Sequence, residues 1–301
     1  MLAQTIYSRV SLGRLLVLAL VLTLPEARSL AAPQADKKGL LLSLGFAGNS
    51  DQAGRIFKLS DAVGYRFNKH FEVTAGLPVY FVMASSTGVT QGFVSNNGIG
   101  NAYLELRGLA SNDDWYFSTT LRGSAPTGDS QKGFSTGRVT VDWSNYLERT
   151  IGRFTPFGNA GMGNTISDTH FFYRPFTTLG VVGHFEGGTN FQIFDPVSVG
   201  ASVYSDVPKG EQKVFSKLIP RGQAGNPAKL GGHGRVFEIQ SVVVGTADIA
   251  RDHGVAGWLD LYPSSSLSLE IGYSRSMRFD YNTLFFSVDF DLGKLIRKSL
   301  Q

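Results

Sequence analysis

The chain has 301 residues and no cysteine, and its Lys and Arg (28) slightly outnumber Asp and Glu (24), for a formal net charge of +4. The lack of Cys excludes a lipoprotein anchor, disulfide staples and cysteine catalysis, and the near balance of charge argues against a nucleic-acid partner, which needs a concentrated basic surface. Glycine at 36 residues, aromatics at 12% with Phe (22) far ahead of Trp (3), and a mean hydropathy of -0.02 favour strands over helices.

At the N-terminus, Arg9 and Arg14 precede an uncharged apolar run, Leu15 to Leu24, that is too short to span a bilayer as a helix. Pro25 ends the run, and Ser29 and Ala31 supply the small-x-small pattern a signal peptidase needs. Residues 1–31 are therefore expected to be a cleaved secretory signal peptide, and 32–301 a single domain. Beyond it no stretch approaches the ~18 consecutive apolar residues of a membrane helix, so a membrane crossing must use strands.

Alternation is sustained along the rest of the chain. Phe71, Val73, Ala75, Leu77, Val79 and Phe81 share one face, opposite Glu72, Thr74, Gly76 and Tyr80. The pattern recurs at Ala102–Leu106, Trp115–Leu121, Val139–Leu147, Leu179–Phe185, Val197–Val203, Leu267–Tyr273 and Leu284–Leu292. Runs of about ten residues exceed the usual globular strand and suit a tilted membrane crossing. Tight turns at Asn68–Lys69, Ser111–Asp114, Thr150–Gly152, Asp195–Pro196 and Pro263–Ser266 alternate with longer loops at Met83–Gly98, Ala125–Ser135, Asn164–Pro175 and Pro208–His253. Short turns on one side and long loops on the other are the habit of outer-membrane barrels.

The expected fold is thus all-β, a transmembrane antiparallel up-and-down barrel of about 12 strands, with 14 as the alternative. Its strands are placed at Gly39–Gly48, Arg55–Asn68, His70–Val82, Ile99–Ala110, Trp115–Ser124, Thr136–Glu148, Arg153–Gly163, Phe176–Phe194, Val197–Val207, Gly254–Tyr262, Leu267–Ser276 and Thr283–Gly293. The strand-like Arg235–Val244 falls inside the longest outer loop, 208–253. Apolar side chains face lipid and polar ones the lumen. The signal for membrane insertion by the barrel-assembly machinery is placed at Phe286–Leu292.

Three pieces of the chain, Gly98-Ile99-Gly100-Asn101-Ala102, Ala125-Pro126-Thr127-Gly128-Asp129 and Asn159-Ala160-Gly161, resemble the outer-membrane family named for the meta pathway of phenol degradation. The resemblance runs from about residue 60 to the C-terminus. It implies a transporter-like barrel, and it is the source of the expectation that hydrophobic or aromatic solutes are among those carried. Asn101 stands where that family commonly has Asp.

No catalytic constellation emerges. Barrel lipid hydrolases carry a Ser two positions after a His, whereas His70, His170, His184, His233 and His253 are followed there by Glu72, Phe172, Glu186, Arg235 and Val255. The chain is read as a non-enzyme without cofactor. His184 and Glu186 share a face, but two ligands without a third read as a charge-paired wall rather than a metal site. The glycines of 98–100 and 231–234 precede no helix that would make them a phosphate loop.

The informative feature is how lumen charge divides. Lys58, Arg66, Arg107, Arg122 and Arg138 fall on early strands, with Glu72, Glu105, Asp142 and Glu148 among them. Late strands offer Glu186, Asp260, Glu270, Asp289 and Asp291, with His184. Glu105, Arg107, Arg122, Arg138, Asp142, His184, Glu186, Glu270 and Asp289 are accordingly the candidate lining of a solute pathway. Two readings are open: a transverse field that selects small solutes, or arginines and carboxylates that meet across the lumen and fill it. The first implies a channel or uptake barrel; the second implies a non-conducting structural or adhesive barrel whose outer loops bind partners. Lys209, Lys213, Lys217, Arg221 and Lys229 suit the anionic lipopolysaccharide of an outer membrane.

Overall fold

The computed structural model describes residues 38–51, 54–85, 93–129, 134–135, 137–165, 178–220, 235–245, 251–278 and 280–293. The expected signal peptide lies outside them. In chain order the strands are β1 (Gly39–Asp51), β2 (Gly54–Asn68), β3 (Phe71–Gly76), β4 (Val79–Ser85), β5 (Phe93–Ile99), β6 (Tyr103–Ser111), β7 (Trp115–Ser124), β8 (Thr140–Arg149), β9 (Phe154–Gly163), β10 (Thr178–Phe194), β11 (Val197–Pro220), β12 (Arg235–Gly245), β13 (Asp252–Ser264), β14 (Leu267–Ser276) and β15 (Tyr281–Asp291).

Twelve of them close into one antiparallel barrel. From β1 the ring runs through β2, β3, β6, β7, β8, β9, β10, β11, β13, β14 and β15, and β1 completes it by pairing on both sides. Leu44 lies opposite Phe290 of β15 and opposite Asp61 of β2. The wall therefore has no free edge, as hydrocarbon demands of any strand that crosses it.

The alternation in the sequence sorts as expected. Leu284 (62% exposed), Val203 (60%) and Ile271 (59%) point outward with Leu104, Leu121, Val141, Phe185 and Val255. Thr140, Asp142, Ser198, Ser202, Asp260 and Ser274, which alternate with such residues, are buried on the inside. Outward aromatics gather towards the short-turn end. Tyr65 packs on Phe67 at 5.1 Å and Phe67 on Phe71 at 5.7 Å, while Phe154 meets Phe191 at 4.7 Å. They form the girdle that such barrels set at a membrane interface.

The short turns are locally encoded. Asn112 Oδ1 accepts the N–H groups of Asp114 (3.0 Å) and Trp115 (2.8 Å), so its side chain takes the part of a backbone carbonyl. Gly152 turns the chain between β8 and β9 with φ of 62°, a region other residues enter at a cost.

Three features depart from the simple alternation. The strand expected over His70–Val82 is divided into β3 and β4, because Pro78 has no N–H to give to a ladder. The gap is sealed: Leu77 N–H donates to Asp61 Oδ1 (3.2 Å), and Gly100 N–H to Pro78 O (2.7 Å). Secondly, the sequence predicts an outer loop after β7, yet Phe134, one of the residues described there, packs against the inside of the β4–β5 hairpin. Phe134 is 1% exposed and stacks on Tyr80 with ring centres 6.4 Å apart. Gly98 leaves the room, since a Cβ there would lie 2.3 Å from the Phe134 ring. Thirdly, β11 runs on to Pro220 and pairs with β12 beyond the barrel, so part of the 208–253 stretch is a hairpin extension of the wall. The twelve-strand count survives because β4 and β5 prolong the wall beyond β3 and β6, and β12 pairs with β11 off the ring.

The outward assignment carries a test. Val203→Arg and Ile271→Arg should each lower the unfolding free energy in lipid vesicles by about 2–4 kcal/mol, the cost of a charge near the bilayer midplane. A denaturant titration that finds no loss would place these side chains off the lipid face.

Candidate functional site

The lumen lining divides by wall. On the β2–β7 side, Glu72 is in register with Arg66 of β2 and with Arg107 of β6. Arg66 Nη2 and Nε donate to Glu72 Oε2 at 2.7 and 3.0 Å, and Arg107 Nη1 donates to Glu72 Oε1 at 3.2 Å. Arg107 Nη2 also reaches Glu105 Oε1 at 2.6 Å. This quartet is neutral, and burial makes that pairing necessary. Arg122 spreads its guanidinium 3.7 Å above the Tyr103 ring, a cation–π contact. Arg138 precedes β8 and is exposed, so it stands at the rim and not in the wall.

The other wall is acidic and aromatic. Asp142 of β8 reaches across β9 to His184 of β10, with Nε2 3.0 Å from Oδ2. The crossing is open because β9 carries Gly161 and Gly163; a Cβ at the first would lie 2.3 Å from the His184 ring, and at the second 2.6 Å from Asp142 Oδ2. Asp260 accepts from Ser198 Oγ (3.2 Å) and Trp258 Nε1 (3.1 Å). Asp252 accepts from Ser276 Oγ (2.6 Å) and Tyr204 O–H (3.3 Å), and Glu148 from Tyr146 O–H (2.6 Å). Glu186, Glu270 and Asp289 lie on the inner face of β10, β14 and β15, and Asp289 Oδ1 approaches Gly45 of β1. Asp206, opposite His184 in register, and Asp252 extend this wall.

Along it runs a ribbon of rings. Tyr116 lies 6.1 Å from Tyr146, Tyr146 stacks on Phe157 at 5.8 Å, and Phe157 meets Trp258 at 6.2 Å. Phe157 belongs to β9 and Trp258 to β13, with β10 and β11 between them. They meet because those two strands carry glycines. A Cβ at Gly188 would lie 2.7 Å from Phe157 Cζ, and one at Gly200 2.1 Å from Trp258 Cε2. Phe285, over Gly272, packs with Ala256, Tyr204 and Trp258 further round the wall. Asn159 Oδ1, Asn190 Oδ1 and Ser202 Oγ take no hydrogen bond among the described residues.

Of the residues singled out from sequence, Arg107 and Glu105 are brought together, and so are Asp142 and His184. Arg122 is joined to Tyr103 instead, and Arg138 is left outside. The contacts named above join side chains on the same strand or on strands close together in the wall. Register is the reason: Glu72 sits directly beside both Arg66 and Arg107, and cross-strand neighbours are about 5 Å apart. Sequence reasoning missed the ring ribbon. Its signal was the inward parity of Tyr146, Phe157 and Trp258, matched by glycines of inward parity at 188 and 200. Among the described residues no group of three His, Asp or Glu side chains could hold a metal ion.

No family model matches the sequence, and no curated protein does. Solved structures do. The COG4313 outer membrane channel from Pseudomonas putida F1 superposes with a TM-score of 0.55 at 11% identity, over 87% of this chain and 99% of that one. NanC porin gives 0.46 at 10% identity, over 82% and 99%, and the Pseudomonas putida toluene transporter TodX 0.42 at 10%, over 86% and 89%. At such identity the first likeness concerns the fold, and the class is therefore the outer-membrane type of closed β-barrel. Within that class the chain is a twelve-strand barrel with a charge-divided lumen.

Two outcomes follow from the wall contacts. Glu72→Gln should cost about 1–3 kcal/mol, since it leaves two guanidiniums short of a carboxylate; an unchanged unfolding midpoint would contradict the quartet. Gly200→Val should push Trp258 off its bed. In a Trp115→Phe, Trp143→Phe background its emission would shift to the red, whereas an unaltered spectrum would mean the glycine is not needed.

Proposed function

We propose that this protein is a passive outer-membrane channel or uptake barrel for small solutes, hydrophobic or aromatic ones among them. One observation carries the reading: inward charges pair with their neighbours along the wall, as in Arg66–Glu72–Arg107 and Asp142–His184. Charges held in this way leave a field across the pore that can act on a solute. The ribbon from Tyr116 to Trp258 supplies apolar surface beside it, in keeping with solutes that carry a ring. The N-terminal segment 1–31 would direct export, and the outward apolar band would hold the barrel among outer-membrane lipids.

Liposome swelling with a graded panel of sugars, amino acids and aromatic alcohols tests this. Swelling that falls with solute size is expected; if no solute enters, the barrel is structural or adhesive and its outer loops become the functional surface. Ion selectivity gives a second check. Arg122→Gln should shift the reversal potential towards cations, and Arg138→Gln at the rim should shift it less. Equal shifts would remove Arg122 from the pathway.

A further inference from the structure

The Phe157–Trp258 pair differs from an ordinary apolar contact in what surrounds it. Trp258 donates its ring N–H to the Asp260 carboxylate at 3.1 Å, and Tyr146, stacked on Phe157, donates its hydroxyl to Glu148 at 2.6 Å. Donation to a carboxylate enriches the donor ring in electrons, and it is the ring's negative face that attracts a cation. Gly188 and Gly200 seat the rings against the backbone of the wall. The inner faces of β8 to β13 carry carboxylates and one histidine and no Lys or Arg among their described residues.

Beside each ring lies an acceptor without a donor. Asn190 Oδ1 lies over Gly200 with Trp258, and Ser202 borders Gly188 with Phe157. Neither Asn190 Oδ1 nor Ser202 Oγ takes a hydrogen bond among the described residues, although Ser202 is only 6% exposed. A buried polar atom left so is costly; Asn190 Oδ1 lacks an N–H or O–H donor, and the Ser202 hydroxyl, which can accept as well as donate, lacks any partner among the described residues.

We propose that this stretch of wall is a subsite for amphipathic ammonium solutes, molecules with a ring or short hydrocarbon and a protonated amine. The ring or chain lies on Phe157 and Trp258, the positive charge is held by the π faces and the carboxylates, and the amine N–H groups are donated to Asn190 Oδ1 and Ser202 Oγ. The inference rests on the channel reading for its biological sense, but binding can be measured apart from conduction. Three probes of similar size, benzylammonium, benzyl alcohol and benzoate, separate charge from shape. By titration calorimetry on the full-length protein in detergent, benzylammonium should bind about tenfold more tightly than benzyl alcohol, and benzoate should bind more weakly still. Trp258→Leu should cut that preference by about threefold to tenfold. Ser202→Ala should weaken benzylammonium and leave phenyltrimethylammonium, which has no N–H, unaffected. Equal binding of the amine and the alcohol would overturn the proposal, as would an unchanged preference in a Trp258→Leu protein that still shows the heat-modifiable migration of a folded barrel. Absence of current in a planar bilayer, with amine binding intact, would instead overturn the channel reading and leave the subsite standing.

Discussion

Everything in this molecule depends on the satisfaction of backbone hydrogen bonds where no water can help. In hydrocarbon an unpaired N–H or C=O costs several kcal/mol, so the first strand must find the last. β1 does so, with Leu44 between Asp61 and Phe290. Closure then creates two surfaces from one alternating strand pattern. Leu284 and Ile271 belong to the outside, and the side chains between them to a lumen bounded by twelve strands.

Inside that boundary, proximity along the wall decides the electrostatics. Glu72 neutralises Arg66 and Arg107 because all three are neighbours in register, and a charge already satisfied has no need of a partner across the pore. Where partners sit two strands apart, glycine removes the obstacle. Gly161 and Gly163 let His184 reach Asp142, and Gly188 and Gly200 let Phe157 reach Trp258. The large side chains lie along the wall because the strands beneath them have surrendered their Cβ atoms.

The same economy explains the interruption at Pro78. The motif Gly98–Ala102 and the motif Ala125–Asp129, far apart in sequence, are laced together there. Ala125 N–H donates to Ala102 O (2.8 Å), Ala102 N–H to Thr127 Oγ1 (2.8 Å), and Thr127 Oγ1 to Gly100 O (3.1 Å). Asn101 Oδ1 accepts Gly128 N–H at 3.4 Å, a task that an amide oxygen performs as a carboxylate would.

By itself the sequence determined the period-two pattern, the sidedness of each strand, the clustering of short turns at one end and the strand count, because each depends on residues near one another in the chain. Asn112, Gly152 and the alternation around Leu284 could be read directly. It also placed most of the wall charges by parity, though Arg138, assigned to the lumen, stands exposed before β8. Only the tertiary structure decided which of them meet, because β-register sets neighbours and is invisible to a pattern that repeats every two residues. The long-range pairings followed from it: Glu72 between two arginines, Phe134 turned inward onto Gly98, β11 continued into a hairpin with β12, and Phe157 brought to Trp258 over glycines on the two strands between. A glycine in isolation signals freedom; its meaning as the bed for a ring 58 residues away, as Gly200 is for Trp258, exists only once the strands are side by side.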